Sequence, residues 1–415
     1  MFKNKNTDFK ITVLTVLIPV IMQFIFIRYM SYSVDKVDYG NFVLLQTLIA
    51  GLSAILLQIP GQAFDRFFNK AKDKVSFVNE FRTILILINF ISFFIILLYG
   101  FIMDKFSNEI LFIALIYFIL LNNYVMNQKV FLLNLDRKKY FYLKLFEAFS
   151  KFIAPILSYI YFQSLESLLL GIIVGYILSY GLLVSFLKKY PYKLMINMQN
   201  IKKYFLYSYP ILFVSIFTWG ISFSDRYFID YYLSTKDVAI YALLAMVAGV
   251  GQIIGQVYFL LTEPKIYKKY EEDAVGTFQE IKGYLIKLVL IFIVIGITAI
   301  FIPREIYTIL LEKNIIFDEY YFSTFIILLI AIFANILHIA HHMYLKLIER
   351  LDILAYILGI AFLINLIGNT FIDKYGIIMA AISTLVSYLS ILFMQIIFMK
   401  RFNTMENTEN VKKNI

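Results

Sequence analysis

The chain has 415 residues, 61% of them hydrophobic, 18% aromatic and only 16% charged, with a formal net charge of +10 and no cysteine. Soluble domains carry roughly 45–50% apolar and about 25% charged residues, so a water-soluble protein is excluded. The missing cysteine removes disulfides, thiolate metal sites and thiol nucleophiles together.

Lys3, Lys5 and Lys10 precede the first apolar segment, and no small-residue cleavage site follows it, so that segment is expected to stay as an anchor. A membrane-crossing helix needs about 20 mostly apolar residues. Segments that qualify lie near 11–33, 40–63, 81–102, 109–131, 143–163, 166–187, 204–229, 238–262, 284–302, 320–345, 353–372 and 376–399. The expected fold is an all-α membrane protein of about twelve transmembrane helices. With alternate loops on one side, 29 Lys and Arg residues collect at the N-terminal side and 7 at the other, leaving only Lys151 and Arg226 unassigned. Basic residues are enriched in cytoplasmic loops, so both termini are expected there. The positive balance then reflects topology and contact with anionic lipid heads, and no nucleic-acid partner is expected.

The basic loop "KKYPYKLMINMQNIKK" divides the chain near residue 200. Residues 1–200 and 201–402 are expected to form two six-helix bundles, and 403–415 a polar cytoplasmic tail. The halves echo each other: "IRYMSYSVDKVDYGNFVLL" (27–45) and "DRYFIDYYLSTKDVAIYALL" (225–244) share Arg-Tyr, a short turn, an acidic residue and an aromatic opening the next helix. Six helices return the chain to its starting side, so the repeat is parallel, an arrangement known among transporters. Two such bundles are expected to enclose a cleft that opens alternately to either side.

Arg28, Tyr39-Gly40, Pro210, Asp225-Arg226-Tyr227, Val238 and Tyr241 together resemble the polysaccharide flippases of the multidrug/oligosaccharidyl-lipid/polysaccharide exporter superfamily. Chain length, helix number and the lack of large loops are similar to its O-antigen (Wzx-type) branch. Ala239 stands where that family often has glycine. The resemblance implies that the chain flips a polyprenyl-diphosphate-linked oligosaccharide across the bacterial inner membrane for surface polysaccharide or lipopolysaccharide assembly. It implies membrane lipids and other polysaccharide-assembly proteins as partners, no cofactor and no enzymatic step.

Polar residues inside the spans give the candidate site. Ser215, Thr218, Ser222, Asp225 and Arg226 recur at helical spacing and would share one face. A charge at the membrane centre costs about 2.5–3.5 kcal/mol on insertion scales, so this stripe should face protein or water. Either Arg226 snorkels to the lipid heads beside Asp225, or it meets phosphate or sugar at the rim of the cleft. Lys144, Glu147 and Lys151 form a second stripe, with Glu147 and Lys151 at i,i+4. Lys151 is the deepest cation of the first half, and would either attract a diphosphate or simply pair with Glu147 at the cytoplasmic interface. Arg28 holds the place in the first half that Arg226 holds in the second. Gly249, Gln252 and Gln256, Asn123 and Asn127, and Asn365 and Asn369 would either pack helices together or hydrogen-bond sugar.

His338 and His342 share a helical face, but the Glu of an H-E-x-x-H zinc site is missing, so no metal is expected. No P-loop is present, so ATP hydrolysis is not expected. Three other readings stay open: a cation-coupled multidrug exporter of the same superfamily, a polysaccharide polymerase, or an acyltransferase using His338. A polymerase should carry a large external loop, whereas the longest here, near 303–319, is short.

Overall fold

The computed structural model describes residues 5–253, 255, 258, 259, 262, 266, 269, 270, 273–347 and 350–413. Among them the secondary structure is entirely helical. The chain divides into two compact units, Met1–Ser215 and Ile216–Ile415.

The first unit contains α1 (Lys5–Tyr32), α2 (Lys36–Leu56), α3 (Gln58–Phe67), α4 (Lys74–Met103), α5 (Asn108–Leu133), α6 (Arg137–Ala148), α7 (Ala154–Phe162) and α8 (Leu165–Phe186). Helix α9 (Met198–Phe223) crosses the division between the units. The second unit continues with α10 (Asp225–Tyr232), α11 (Thr235–Ala248), α12 (Ala274–Phe301), α13 (Glu319–Leu347), α14 (Leu351–Asn369) and α15 (Ile377–Lys413). The division falls at 215 because the first half of α9 packs on α3 and α4. Tyr204 packs on Phe67, Phe77 and Phe81, and both Asn200 and Tyr204 donate to Glu80.

Short polar side chains start the helices by satisfying orphan amides. Asp35 accepts from Val37 and Asp38, Asp73 from Val75 and Ser76, Ser107 from Ile110, Ser234 from Asp237 and Asp273 from Gly276. The Ser76 hydroxyl and amide hold the Asp73 carboxyl below its usual range. Helices α4 and α7 end on Asp104 and Gln163, both in the left-handed conformation that stops a helix.

Eleven helices among the described residues are long and apolar enough to cross a membrane, and the bent pair Met198–Tyr209 and Ile211–Phe223 makes a twelfth. That 51° bend falls at Pro210, which lacks the amide hydrogen needed to continue the helical ladder. The long helices also point apolar side chains outward. Phe90, Phe94, Leu98 and Phe101 on α4, and Leu290, Val294, Ile297 and Phe301 on α12, are exposed along one stripe each. Such continuous apolar surface is stable only in lipid, and helices satisfy their backbone there internally. The all-α, multi-span architecture expected from hydropathy is therefore the one observed.

Among the described residues three expected spans are interrupted, one of them 238–262 at Gly249, where α11 ends. The segment 40–63 breaks at Leu57, between α2 and α3. The segment 204–229 breaks at Ser224, between α9 and α10, so Ser222 and Asp225 do not continue one uninterrupted helix.

Candidate functional site

In the first unit, α6 leads into a π-helical segment, Phe149–Ile153, before α7 begins. The wider turn there is a device frequent at functional sites. Helix α8 makes room for it with small residues. A Cβ on Gly171 would stand 2.6 Å from the Ala154 carbonyl oxygen, and one on Gly175 2.7 Å from the Ser150 Cα. Ser179, the next residue in that row, lies 2.9 Å from the Ser150 hydroxyl and donates to the Phe146 carbonyl oxygen at 3.1 Å. Small residues spaced by four thus let the backbones approach closely, as membrane interfaces favour.

This segment carries the charged cluster. Glu147 is 5% exposed. Its Oε1 accepts from Lys151 Nζ at 2.6 Å, and its Oε2 accepts from Lys144 Nζ at 2.8 Å and Gln128 Nε2 at 3.0 Å. Two ammonium groups share one carboxylate, so the cluster carries a net positive charge. The lysine side chains are 29% and 34% exposed. The i,i+4 pair expected from the sequence is present. Gln128, which no helical spacing relates to Glu147, completes the set.

In the second unit, Asp225 opens α10 and is 2% exposed. One carboxylate oxygen accepts the Arg226 amide at 2.9 Å, and the other accepts the Tyr241 hydroxyl at 2.5 Å. The Arg226 guanidinium lies 4.6 Å from the centre of the Phe223 ring. Ser224 at the helix break donates to Asn365 Oδ1 at 3.3 Å. Asn369 donates to the same oxygen at 3.0 Å, and Asn365 donates to Thr384 at 3.5 Å. With the Asp225–Tyr241 pair, these make a cluster of polar groups drawn from α10, α11, α14 and α15. Ser222 stands apart from it and pairs with the Tyr388 hydroxyl at 2.9 Å, and the Tyr388 ring stacks on His338. The cluster's donors and acceptors are neutral oxygens and amides around one carboxylate. Such a set can hydrogen-bond a polyhydroxylated ligand or hold a hard cation.

The remaining expected positions are dispersed. Arg28 is exposed, with its guanidinium 5.2 Å from the Tyr32 ring centre. Gln252 is half-buried, and its backbone N–H donates to the Gly249 carbonyl. Gln256 lies outside the described residues. The His338 and His342 rings are parallel, 6.5 Å apart. Asn127 accepts from Arg82, which is 8% exposed. Arg82 also donates to Asn79 and to the Tyr190 carbonyl. The signal available was the cluster Asn79, Arg82 and Thr83 at the start of an otherwise apolar helix.

No protein-family model matches the chain, and no curated protein matches it in sequence. Solved structures match its fold. The lipid II flippase MurJ in an inward closed conformation superposes with a TM-score of 0.71 at 13% identity, covering 95% of this chain and 87% of that one. An inward-facing multidrug resistance MATE family transporter of the MOP superfamily gives 0.65 at 10% identity, covering 95% and 96%. The MATE multidrug transporter DinF-BH, in a ligand complex, gives 0.63 at 13% identity, covering 94% and 92%. At these identities the likeness establishes the fold.

Proposed function

We propose that the chain is a flippase that moves a polyprenyl-diphosphate-linked oligosaccharide across the bacterial inner membrane, by alternating access, for surface polysaccharide assembly. The observation that carries this reading is the Lys144–Glu147–Lys151 cluster, a net positive charge held inside a span. Its burial costs free energy that packing alone does not return, so a charged ligand accounts for it better than structure does. A diphosphate supplies the missing negative charge. In the second unit, Arg226 separately presents a planar fork of donors of the kind that suits phosphate oxygens. The polar cluster around Asp225, Asn365 and Asn369 offers the neutral groups that a sugar requires. The fold shared with a lipid II flippase supports the same class of substrate. The distribution of basic residues supports a cytoplasmic position for both termini.

A second reading, a cation-coupled multidrug exporter, is favoured by the fold shared with MATE transporters and by the buried Asp225. The two separate in a strain that lacks its own polysaccharide flippase. Restored surface polysaccharide on expression of this chain supports the flippase. Unrestored polysaccharide with raised drug resistance, at normal membrane abundance, supports the exporter.

A further inference from the structure

Between α8 and α9 the chain is not helical from Pro191 to Asn197. It is nevertheless fixed along one side. The Tyr190 carbonyl accepts from Arg82 at 2.9 Å, the Pro191 carbonyl from Asn79 at 2.9 Å, and the Met195 amide donates to Thr83 at 3.0 Å. The Tyr190 hydroxyl accepts from Asn134 at 3.1 Å. A buried arginine is committed to holding this strap down.

The strap's other side is apolar. Leu194, Ile196 and Met198, the last opening α9, are 63, 64 and 73% exposed, whereas the Tyr192 ring turns to within 5.8 Å of the Arg82 guanidinium. The strap thus offers exposed apolar side chains at 194, 196 and 198 as a ridge. Lys188, Lys189, Lys193, Lys202 and Lys203 are exposed around it. Glu80, a carboxylate that α4 presents beside the start of α9, is engaged by Asn200 and Tyr204.

We propose that residues 190–198 form an interfacial strap whose apolar ridge enters the membrane boundary while its lysines bind anionic phospholipid head groups. Two spans fix its depth, since α8 ends at Phe186 and α9 begins at Met198. The ridge is therefore held at the level where a membrane helix meets the head groups. Apolar side chains there leave water, and each lysine near an anionic surface contributes about 1 kcal/mol. Pairing five lysines with a phosphate-bearing surface explains both the charge and the exposed ridge. A protein partner would match only one of them. Anchored to lipid on one face and to Arg82 on the other, the strap makes this end of the first unit sensitive to lipid charge.

The chain's single tryptophan and lack of cysteine make the test direct. In a Trp219→Phe background, Leu194→Trp and Lys193→Trp report on the ridge and on its neighbour. The proteins are reconstituted into vesicles of phosphatidylcholine with phosphatidylglycerol, with bromine on the chains of either lipid. The tryptophan introduced at the ridge should lose most of its fluorescence, more to brominated phosphatidylglycerol, and more than the one introduced at Lys193. Changing Lys188, Lys189 and Lys193 to Gln should lower the preference for phosphatidylglycerol about fivefold per lysine. A water-like, unquenched signal at the ridge would overturn the proposal, as would equal quenching by both lipids. So would shielding from bromine that grows with protein concentration, which would mean that a second copy covers the ridge. A check needs no substitution: trypsin should cut the unaltered protein after Lys189 and Lys193 more slowly in vesicles containing phosphatidylglycerol. Equal cutting rates would again overturn the proposal.

Discussion

Gly175 of α8 lies against the backbone of Ser150, so close that a Cβ there would stand 2.7 Å from the Ser150 Cα. Real Cβ contacts are not found at that distance, and backbone cannot yield as a flexible side chain can. Gly175→Ala should therefore force α8 away from the π-helical segment. Overpacking of this kind costs about 1–3 kcal/mol. Thermal unfolding in detergent should show the loss, while Gly181→Ala, which meets nothing within 4 Å, should leave the transition where it was.

The same π segment controls the charged cluster. Glu147→Gln leaves Lys144 and Lys151 adjacent without their carboxylate. Breaking a fully enclosed pair costs ~3–5 kcal/mol, and the cost here should be smaller because both lysines are about a third exposed. Membrane abundance should fall. Lys151→Ala should be milder for stability, because Glu147 keeps Lys144 and Gln128. Its effect should appear in transport. A blot of membrane fractions beside a surface-polysaccharide assay separates the two outcomes.

Asp225 and Tyr241 should behave as one unit. Tyr241→Phe strands a buried carboxylate oxygen, and Asp225→Leu strands a buried hydroxyl, each at about 1–3 kcal/mol. The double change should cost less than the sum of the two. A double-mutant cycle by thermal unfolding measures the coupling, and strict additivity would show that the 2.5 Å contact contributes nothing.

Arg82→Lys should not rescue Arg82→Ala. A lysine is a single point of charge and cannot reach Asn127, Asn79 and the Tyr190 carbonyl together. Both variants should release the strap and speed proteolysis at Lys193 by a similar factor.

Much of this was readable before any coordinates. The spans were legible because lipid demands long apolar helices, and the Glu147–Lys151 pair because a helix turn brings i and i+4 together. What the sequence hid was a matter of distance along the chain. Gln128 reaches Glu147 across 19 residues and Asp225 reaches Tyr241 across 16, and neither spacing belongs to one helix. The π segment adds a single residue to a turn and leaves no composition signal. The break at Ser224 was equally invisible, so the stripe from Ser215 to Arg226 read as one face although Ser222 and Asp225 have separate partners. The role of Arg82 is hidden as well, because a basic residue near a helix start usually belongs to the loop.

The central claim is that this chain moves a diphosphate-linked glycan lipid and uses its intramembrane cations to do so. Proteoliposomes containing the purified protein and a fluorescent polyprenyl-diphosphate oligosaccharide test it most directly, with an impermeant reagent that destroys the label on the outer face. The account predicts that the protected fraction becomes accessible with the unaltered protein. It predicts partial loss of that flux with Arg226→Lys and nearly complete loss with Arg226→Ala or Lys151→Ala, all inserted to equal levels. Flux no greater than in empty vesicles, or full flux from both alanine variants, would contradict it.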